Sequence, residues 1–508
     1  MTAGSAGLGP LADMWYLPGR RSPGIRGVLV GMAVPLLAGL LCALFMPRAA
    51  IAVETLDLIT HAPNPLTETW VFDINPERQL PQYDFGGSLR VRYVDSRNVL
   101  ALGAEPDPHR RFFRIRSRLW ADRWFTPGWR LFAVINNESR SYLECDACES
   151  RFGEIIFENL FVEYTNQKGN PLGLRIGRQD LFYGDGFVIC DGTPLDGSRT
   201  AYVNGILLTT AIPDWSFDVF AVWNRKEDEW LPRINNRYTP LLEYNEFVGG
   251  LYVRGFKPDQ AARPYTIDYY YIFDEEKTPE RYATINTFGS RLVLSSSRIG
   301  AMGELAYQAG KDPESRFALA DPNLAGSQSV SAYGGQAGVD IHPCARVPLT
   351  LSGGYIHLSG DNPMTRNKFE GWNPLMGRWP KWSELYIYTL SMAAGVQPMG
   401  QGAAYWQNLK APLIGIAVVP CPNVRLEARH AWMCADTGVP LDPTTPPDQE
   451  PLRPKDRGNL LVLRLSWSVK TALPLGGHVL YERFDPGGYY GPDAKPATFF
   501  RLEVSTSL

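Results

Sequence analysis

The sequence predicts an all-β protein, a transmembrane antiparallel barrel of about 18 strands with long outer loops and short periplasmic turns. Three observations predict it. Apolar and polar residues alternate through many short segments. The connections between those segments alternate between tight and long. An export signal precedes them, and no later run of roughly 18 apolar residues follows that a membrane helix would need. Aromatic residues at 12% and 48 Gly in 508 residues suit many strands joined by turns.

Residues 1–52 read as a signal peptide. Arg20, Arg21 and Arg26 form a basic region, Val28 to Phe45 is an apolar run broken by Pro35, and Ala50-Ile51-Ala52 is a small-x-small cleavage pattern. An uncleaved anchor is the alternative; Pro35 and the cleavage pattern favour removal. Cleavage after Ala52 removes four basic residues and one acidic one. That leaves 46 basic and 52 acidic residues, a net charge of −6. A nucleic-acid role wants a basic domain and is disfavoured. Residues 53–80 read as a periplasmic lead and 81–508 as the barrel.

Alternation starts in 88–94, where Leu89, Val91 and Tyr93 share one face and Ser88, Arg90 and Arg92 the other. In 113–121, Phe113, Ile115, Leu119 and Ala121 oppose Arg114, Arg116 and Arg118. Residues 215–223 align Trp215, Phe217, Val219, Ala221 and Trp223. Residues 265–273 align Tyr265, Ile267, Tyr269, Tyr271 and Phe273. The last segment sets Phe500, Leu502, Val504 and Leu508 against Arg501, Glu503 and Ser505. A soluble sandwich would also alternate. Trp and Tyr at the ends of the apolar stripes, and charges in mid-strand on the polar face, favour a barrel around a watery lumen.

Strand-like segments lie near 84–96, 110–122, 129–142, 154–165, 171–181, 201–212, 214–224, 243–256, 264–274, 282–295, 299–310, 328–342, 348–359, 384–394, 405–419, 424–435, 458–470, 475–485 and 497–508. That count is odd, whereas single-chain bacterial barrels are even. Tight turns at 123–128, 166–170, 213–214, 343–347, 420–423 and 471–474 must alternate with the long connections at 97–109, 181–200, 225–242, 311–327 and 436–457. Keeping 384–394 as a strand breaks the alternation, and dropping it restores it to the C-terminus. Eighteen strands remain, with both ends periplasmic, and 360–404 becomes one long outer or inward-folded loop.

Chemistry-bearing motifs are sparse. Cys145 and Cys148 form C-D-A-C without the βαβ setting of a redox motif, the His of a haem motif or a second zinc-ligand pair. A loop disulfide in an oxidising compartment suits them better. Parity places Cys145, Cys148, Cys190 and Cys434 at the outer end and Cys344 and Cys421 in periplasmic turns. Gly184-Asp185-Gly186 lacks the spacing of an EF-hand or a P-loop and reads as a turn. The six His show no metal-ligand spacing, and no catalytic constellation stands out. No enzyme, metal site or cofactor is expected.

Arginine is the most informative residue. Arg90, Arg92, Arg114, Arg116 and Arg118 project from one face of neighbouring strands, and Arg130, Arg175, Arg425, Arg429, Arg464 and Arg501 extend the pattern. The plain reading is a salt-bridged face with Glu138, Glu158, Glu163, Glu427 and Glu503 as partners. Neighbouring like charges repel unless anions stand between them. In a lumen those anions are paired carboxylates or an anionic solute, which guanidinium binds bidentately.

The runs LRIGRQDLFYGDGFV (174–188), SRTAYVNGILL (198–208), GRWPKWSELYIYTL (377–390) and RRFFRIRSRLWAD (110–122) resemble the alginate-export family of outer-membrane proteins. The resemblance covers nearly the whole chain after residue 52. It implies a monomeric barrel of 18 strands in the bacterial outer membrane, with an arginine-rich constriction that selects an anionic uronate polysaccharide and with periplasmic secretion components as partners. It implies that role for Arg114, Arg116 and Arg118, and by extension for Arg90, Arg92, Arg175 and Arg178. The chain departs from common barrel practice in ending at Leu508 in place of Phe, and in its cysteines. A substrate-specific uptake porin for small carboxylates would share the basic lumen. A structural or adhesive surface barrel, or an enzyme on a barrel scaffold, is the third class.

Overall fold

The computed structural model describes residues 82–99, 102, 109–126, 128–144, 155–166, 171–191, 203–225, 228–234, 245–255, 265–277, 282–312, 328–343, 348–365, 367–377, 382–385, 407–440, 451–469 and 474–507. The expected signal peptide 1–52, the lead 53–80, Cys344 and the Cys145 and Cys148 pair lie outside them. Among the described residues, Cys421 and Cys434 are free thiols.

The wall begins with the three longest strands, β1 (Gln82–Arg97), β2 (Arg110–Thr126) and β3 (Trp129–Glu144), then β4 (Ile155–Asn166) and β5 (Leu172–Gln179). Two short strands, β6 (Leu181–Phe182) and β7 (Cys190–Asp191), pair with each other apart from the wall. The wall continues through β8 (Val203–Ile212), β9 (Trp215–Asn224), β10 (Asn245–Gly255), β11 (Tyr265–Lys277), β12 (Tyr282–Ser295), β13 (Ile299–Asp312), β14 (Gln328–Ile341) and β15 (Leu349–Leu358). After the short β16 (Lys368–Phe369) it is completed by β17 (Leu409–Cys421), β18 (Val424–Cys434), β19 (Asp456–Val469), β20 (Leu475–Pro486) and β21 (Ala497–Ser507).

Each wall strand runs antiparallel to its neighbours, and β21 pairs with β1 from Ser88↔Ser507 to Arg97↔Thr498. The sheet therefore closes into an 18-stranded barrel with no free edge, and one chain makes the whole ring. β15 pairs directly with β17, so no wall strand stands between them, as loop parity requires. β15 begins to pair with β14 only at Gly334, and β16 fills the outer end of β14 in parallel through Ser329↔Lys368 and Val330↔Phe369.

Turn chemistry explains the inner rim. Pro213 and Asp214 alone join β8 to β9, with Asp214 at φ 70°, a conformation that Asp tolerates better than most residues. Pro422 and Asn423 join β17 to β18. The outer connections are longer, except that between β11 and β12.

The two faces sort as the pleat requires. Phe85 and Leu119 are 82% and 65% exposed on the outside, whereas Arg116 and Arg118 on the same pair of strands are 6% and 4% exposed. Phe113, Ile115, Leu502 and Val504 point outward as expected, and Arg90, Arg92 and Arg501 point inward. Sending those charges to the lipid side would cost roughly 2–4 kcal/mol each near the midplane. Aromatic rings gather at both rims. Trp129 packs on Tyr164 with centroids 5.0 Å apart at the inner end, and Trp223 on Phe247 at 5.3 Å at the outer end.

Candidate functional site

One side of the lumen is basic. Register sets Arg90 opposite Arg116 and Arg92 opposite Arg114 across β1 and β2. Such pairs would repel, and carboxylates from flanking strands stand among them. Arg92 Nε donates to Glu503 of β21, with Arg90 Nε 3.9 Å from the same carboxylate. Arg114 Nε donates to Glu138 of β3 at 2.6 Å, and Arg140 shares that carboxylate at 3.3 Å. Arg118 pairs with the buried Glu158 of β4. Arg501 donates through Nε to His478 at 2.9 Å and through an Nη to Glu384 at 2.5 Å. Among the described residues, six guanidinium groups, those of Arg90, Arg92, Arg114, Arg116, Arg118 and Arg501, thus gather here with the carboxylates of Glu138, Glu158, Glu384 and Glu503.

The other predicted arginines are elsewhere. Arg175 binds Glu163 at 2.7 Å near the inner end, where Arg130 is held bidentately by Asp122 at 2.8 Å through both contacts. Arg178 lies nearer the outer mouth, tied by Asp228 at 2.7 and 3.0 Å and by Asn204 at 2.9 Å. Its side chain and that of Asp228 are 1% and 0% exposed, so Arg178 fastens an outer loop and does not join the mid-barrel group. Strict alternation would send Arg175 and Arg178 to opposite faces. Gly177 breaks it: at φ +132° it adopts a backbone that L residues avoid, and a Cβ there would meet the Leu160 carbonyl oxygen at 2.3 Å. Both arginines are consequently buried.

Half-way round the ring, β11 and β12 face β21 and β1 and carry a different surface. Residues 181–191 fold inward from the outer rim and pack on it. The Gly184-Asp185-Gly186 turn, expected as an ordinary strand connection, is the tip of this insertion; its two glycines sit at φ +57° and +68°. Tyr183 stacks between Phe220 and Tyr252 with centroids 5.6 and 4.4 Å away. Asp185 grips Arg291 bidentately at 3.0 and 2.8 Å, and Arg291 reaches Asp268 at 3.2 Å. Cys190, placed at the outer end by parity, is buried within this insertion.

The loop after β15 also turns inward. Trp372 stacks on Phe187 at 5.2 Å, and the Cys190 amide donates to the Met376 carbonyl at 3.2 Å. Asn373 exchanges two hydrogen bonds with Gln308 of β13 at 2.9 and 2.7 Å. Further along, the Glu384 and Leu385 amides donate to Glu482 of β20 at 3.0 and 3.1 Å, as does the Ser383 hydroxyl. The two inserted segments are in contact with each other and touch both walls. Sequence reading did not identify Asp185, Arg291, Glu384 or Glu482 as lumen residues. The available signal was an outer loop rich in apolar residues, Trp372, Leu375, Met376 and Trp382, which an exposed loop does not need.

Near the outer ends of β10 and β11, Glu246, Asp274 and Glu276 each offer an oxygen within 4.8 Å of the others, a set that could ligate a hard cation. Asn373 donates to Glu276 at 3.3 Å. On the outer loops, burial pushes the Asp361 carboxyl up to about 7, although the Glu370 amide donates to it at 2.8 Å. Burial also acts to raise Asp436, but Lys410 at 2.6 Å, the Gly360 amide at 3.1 Å and His357 at 3.1 Å outweigh it and hold that carboxyl below the usual range.

Comparison with known proteins agrees with this architecture. The family described as alginate export matches residues 82–487. No curated protein matches the chain. Among solved structures, OccAB2 of Acinetobacter baumannii is 14% identical over 84% of this chain and 98% of its own, with a TM-score of 0.52. OccAB4 of the same organism is 11% identical over 85% and 100%, with a TM-score of 0.52. OccK7 (OpdD) of Pseudomonas aeruginosa is 12% identical over 84% and 99%, with a TM-score of 0.50. At such identities these likenesses concern the fold. With the family match, the lipid-facing belt and the lumen, they make the protein a channel-forming barrel of the bacterial outer membrane.

Proposed function

This chain belongs to the alginate-export family, and on that premise we propose that its barrel exports an anionic, uronate-containing polysaccharide along an arginine-lined lumen. The observation that carries the reading is the clustering of Arg90, Arg92, Arg114, Arg116, Arg118 and Arg501 on the inner faces of β1, β2 and β21 at mid-barrel. A polymer with a carboxylate on each sugar meets a row of guanidinium groups there, each able to bond a carboxylate bidentately. Low-dielectric walls and a narrow bore focus that potential. Ion pairs among the wall residues keep the arginines from repelling one another while the pore is empty. In this reading the protein carries out no reaction, and periplasmic secretion components deliver the polymer to the inner rim.

The experiment is purified protein in planar bilayers under a salt gradient. The expected result is a reversal potential of anion-selective sign and a current reduced by polyuronate but not by a neutral glucan. A cation-selective pore would remove the physical basis of the proposal. A second reading, uptake of small carboxylates, is favoured by the inserted segments 181–191, 372–377 and 382–385, which narrow the bore. Liposomes that swell in small carboxylate salts, while polyuronate neither blocks nor crosses, would support it instead.

A further inference from the structure

Glu384 stands apart from the other carboxylates of the basic wall. Glu138, Glu158 and Glu503 belong to wall strands; Glu138 and Glu503 are fixed by register, and Glu158 by the irregularity of β4 opposite Val134 and Ile135. Glu384 arrives on an inserted loop, 117 residues before the arginine that it contacts. Its backbone is held independently of that contact. Glu482 accepts from the Ser383 hydroxyl and from the amides of Glu384 and Leu385, so one wall carboxylate clamps the tripeptide. The clamp leaves the Glu384 side chain directed at the Arg501 guanidinium, 2.5 Å away. Arg501 lies in the same wall as Arg92, whose partner Glu503 is two residues further along β21.

A carboxylate on a short flexible stem, carried by a loop and set against an arginine of the basic wall, has the chemistry of a uronate carboxylate on a passing chain. We infer that Glu384 is a placeholder: it occupies, at Arg501, a site where a carboxylate of the transported polymer binds. The inference rests on the polysaccharide reading above and assigns that reading a specific site. Burial explains why a placeholder is useful. Arg501 is 2% exposed, and a buried guanidinium needs an anionic partner when no polymer is present. Exchange of one carboxylate for another keeps that requirement satisfied throughout passage.

The test uses the full protein in planar bilayers, with purified oligomannuronate as the blocking probe and a neutral glucan of equal length as control. Glu384→Gln keeps the size of the side chain and removes its charge. It is expected to lower the half-blocking concentration of oligomannuronate by about tenfold, the order set by one charge-assisted hydrogen bond no longer in competition. Block by the glucan should not change. Arg501→Gln should weaken block, and the gain from Glu384→Gln should vanish in the double variant, since both act on one site. Glu384→Ala serves as a second variant, with heat-modifiable migration confirming that each barrel is folded. If oligomannuronate blocks wild type and Glu384→Gln at the same concentration, the placeholder is refuted while the channel reading stands. If it blocks neither, the polysaccharide reading fails and takes the placeholder with it.

Discussion

Replacing Arg114, Arg116 and Arg118 together with Ser tests the electrostatics of the lumen at its most basic point. In the native wall, six named guanidinium groups face the four carboxylates of Glu138, Glu158, Glu384 and Glu503, a difference of two positive charges among these ten groups. At ~10 Å in a medium of effective dielectric constant ~20, two charges attract a monovalent anion by about 3 kcal/mol before screening. A Debye length of ~10 Å reduces this to about 1 kcal/mol, or roughly a fivefold preference for anions. The triple variant leaves Arg90, Arg92 and Arg501 against the same four carboxylates, so the sign reverses and a weak cation preference is expected. Glu158 loses its Arg118 partner and is 1% exposed, which costs about 3–5 kcal/mol of stability. Adding Glu158→Gln removes that cost and balances the wall, and the quadruple variant should show almost no preference. Reversal potentials in a salt gradient measure all three proteins. A triple variant that keeps the wild-type reversal potential would show that these arginines do not set selectivity, whatever their position.

Further outcomes follow from other parts of the structure. Asp361 has a folded pKa of about 7, well above an unfolded carboxyl, so its contribution to loop stability is full below about pH 4 and is lost as pH rises through 7. Limited proteolysis of residues 359–377 should quicken as pH is raised across that range, and Asp361→Asn should abolish the dependence; equal cleavage at both ends would contradict the burial of this carboxyl. Asp185→Asn weakens the bidentate grip on Arg291 and should destabilise the inserted turn by roughly 1–3 kcal/mol, seen as noisier and larger single-channel currents. Single-cysteine variants test topology: an impermeant thiol reagent on intact cells should reach Cys434, at the outer end of β18, but not Cys344, between the inner ends of β14 and β15. Mass measurement of the outer-membrane form should show a chain beginning at Val53; a chain retaining 1–52 would overturn the signal reading.

What was legible in the sequence is what depends on local backbone geometry. A pleat of period two, repeated in 113–121, 215–223 and 265–273, decides which side chains face lipid, because no neighbour is needed to send successive residues to opposite faces. Loop parity decided the strand number for the same reason: each crossing reverses direction, so one extra wall strand between β15 and β17 would disturb every connection after it. Register, closure and insertion belong to the tertiary structure alone. Arg92 meets Glu503 across 411 residues only because β21 closes on β1 at that offset. Arg178 is committed to Asp228, and not to the mid-barrel group, because Gly177 departs from the pleat and an outer loop returns to meet it. The inward turn at Asp185 and the arrival of Glu384 at Arg501 depend on how far each loop reaches across a ring whose width is set by the number of strands, and no local pattern encodes that distance.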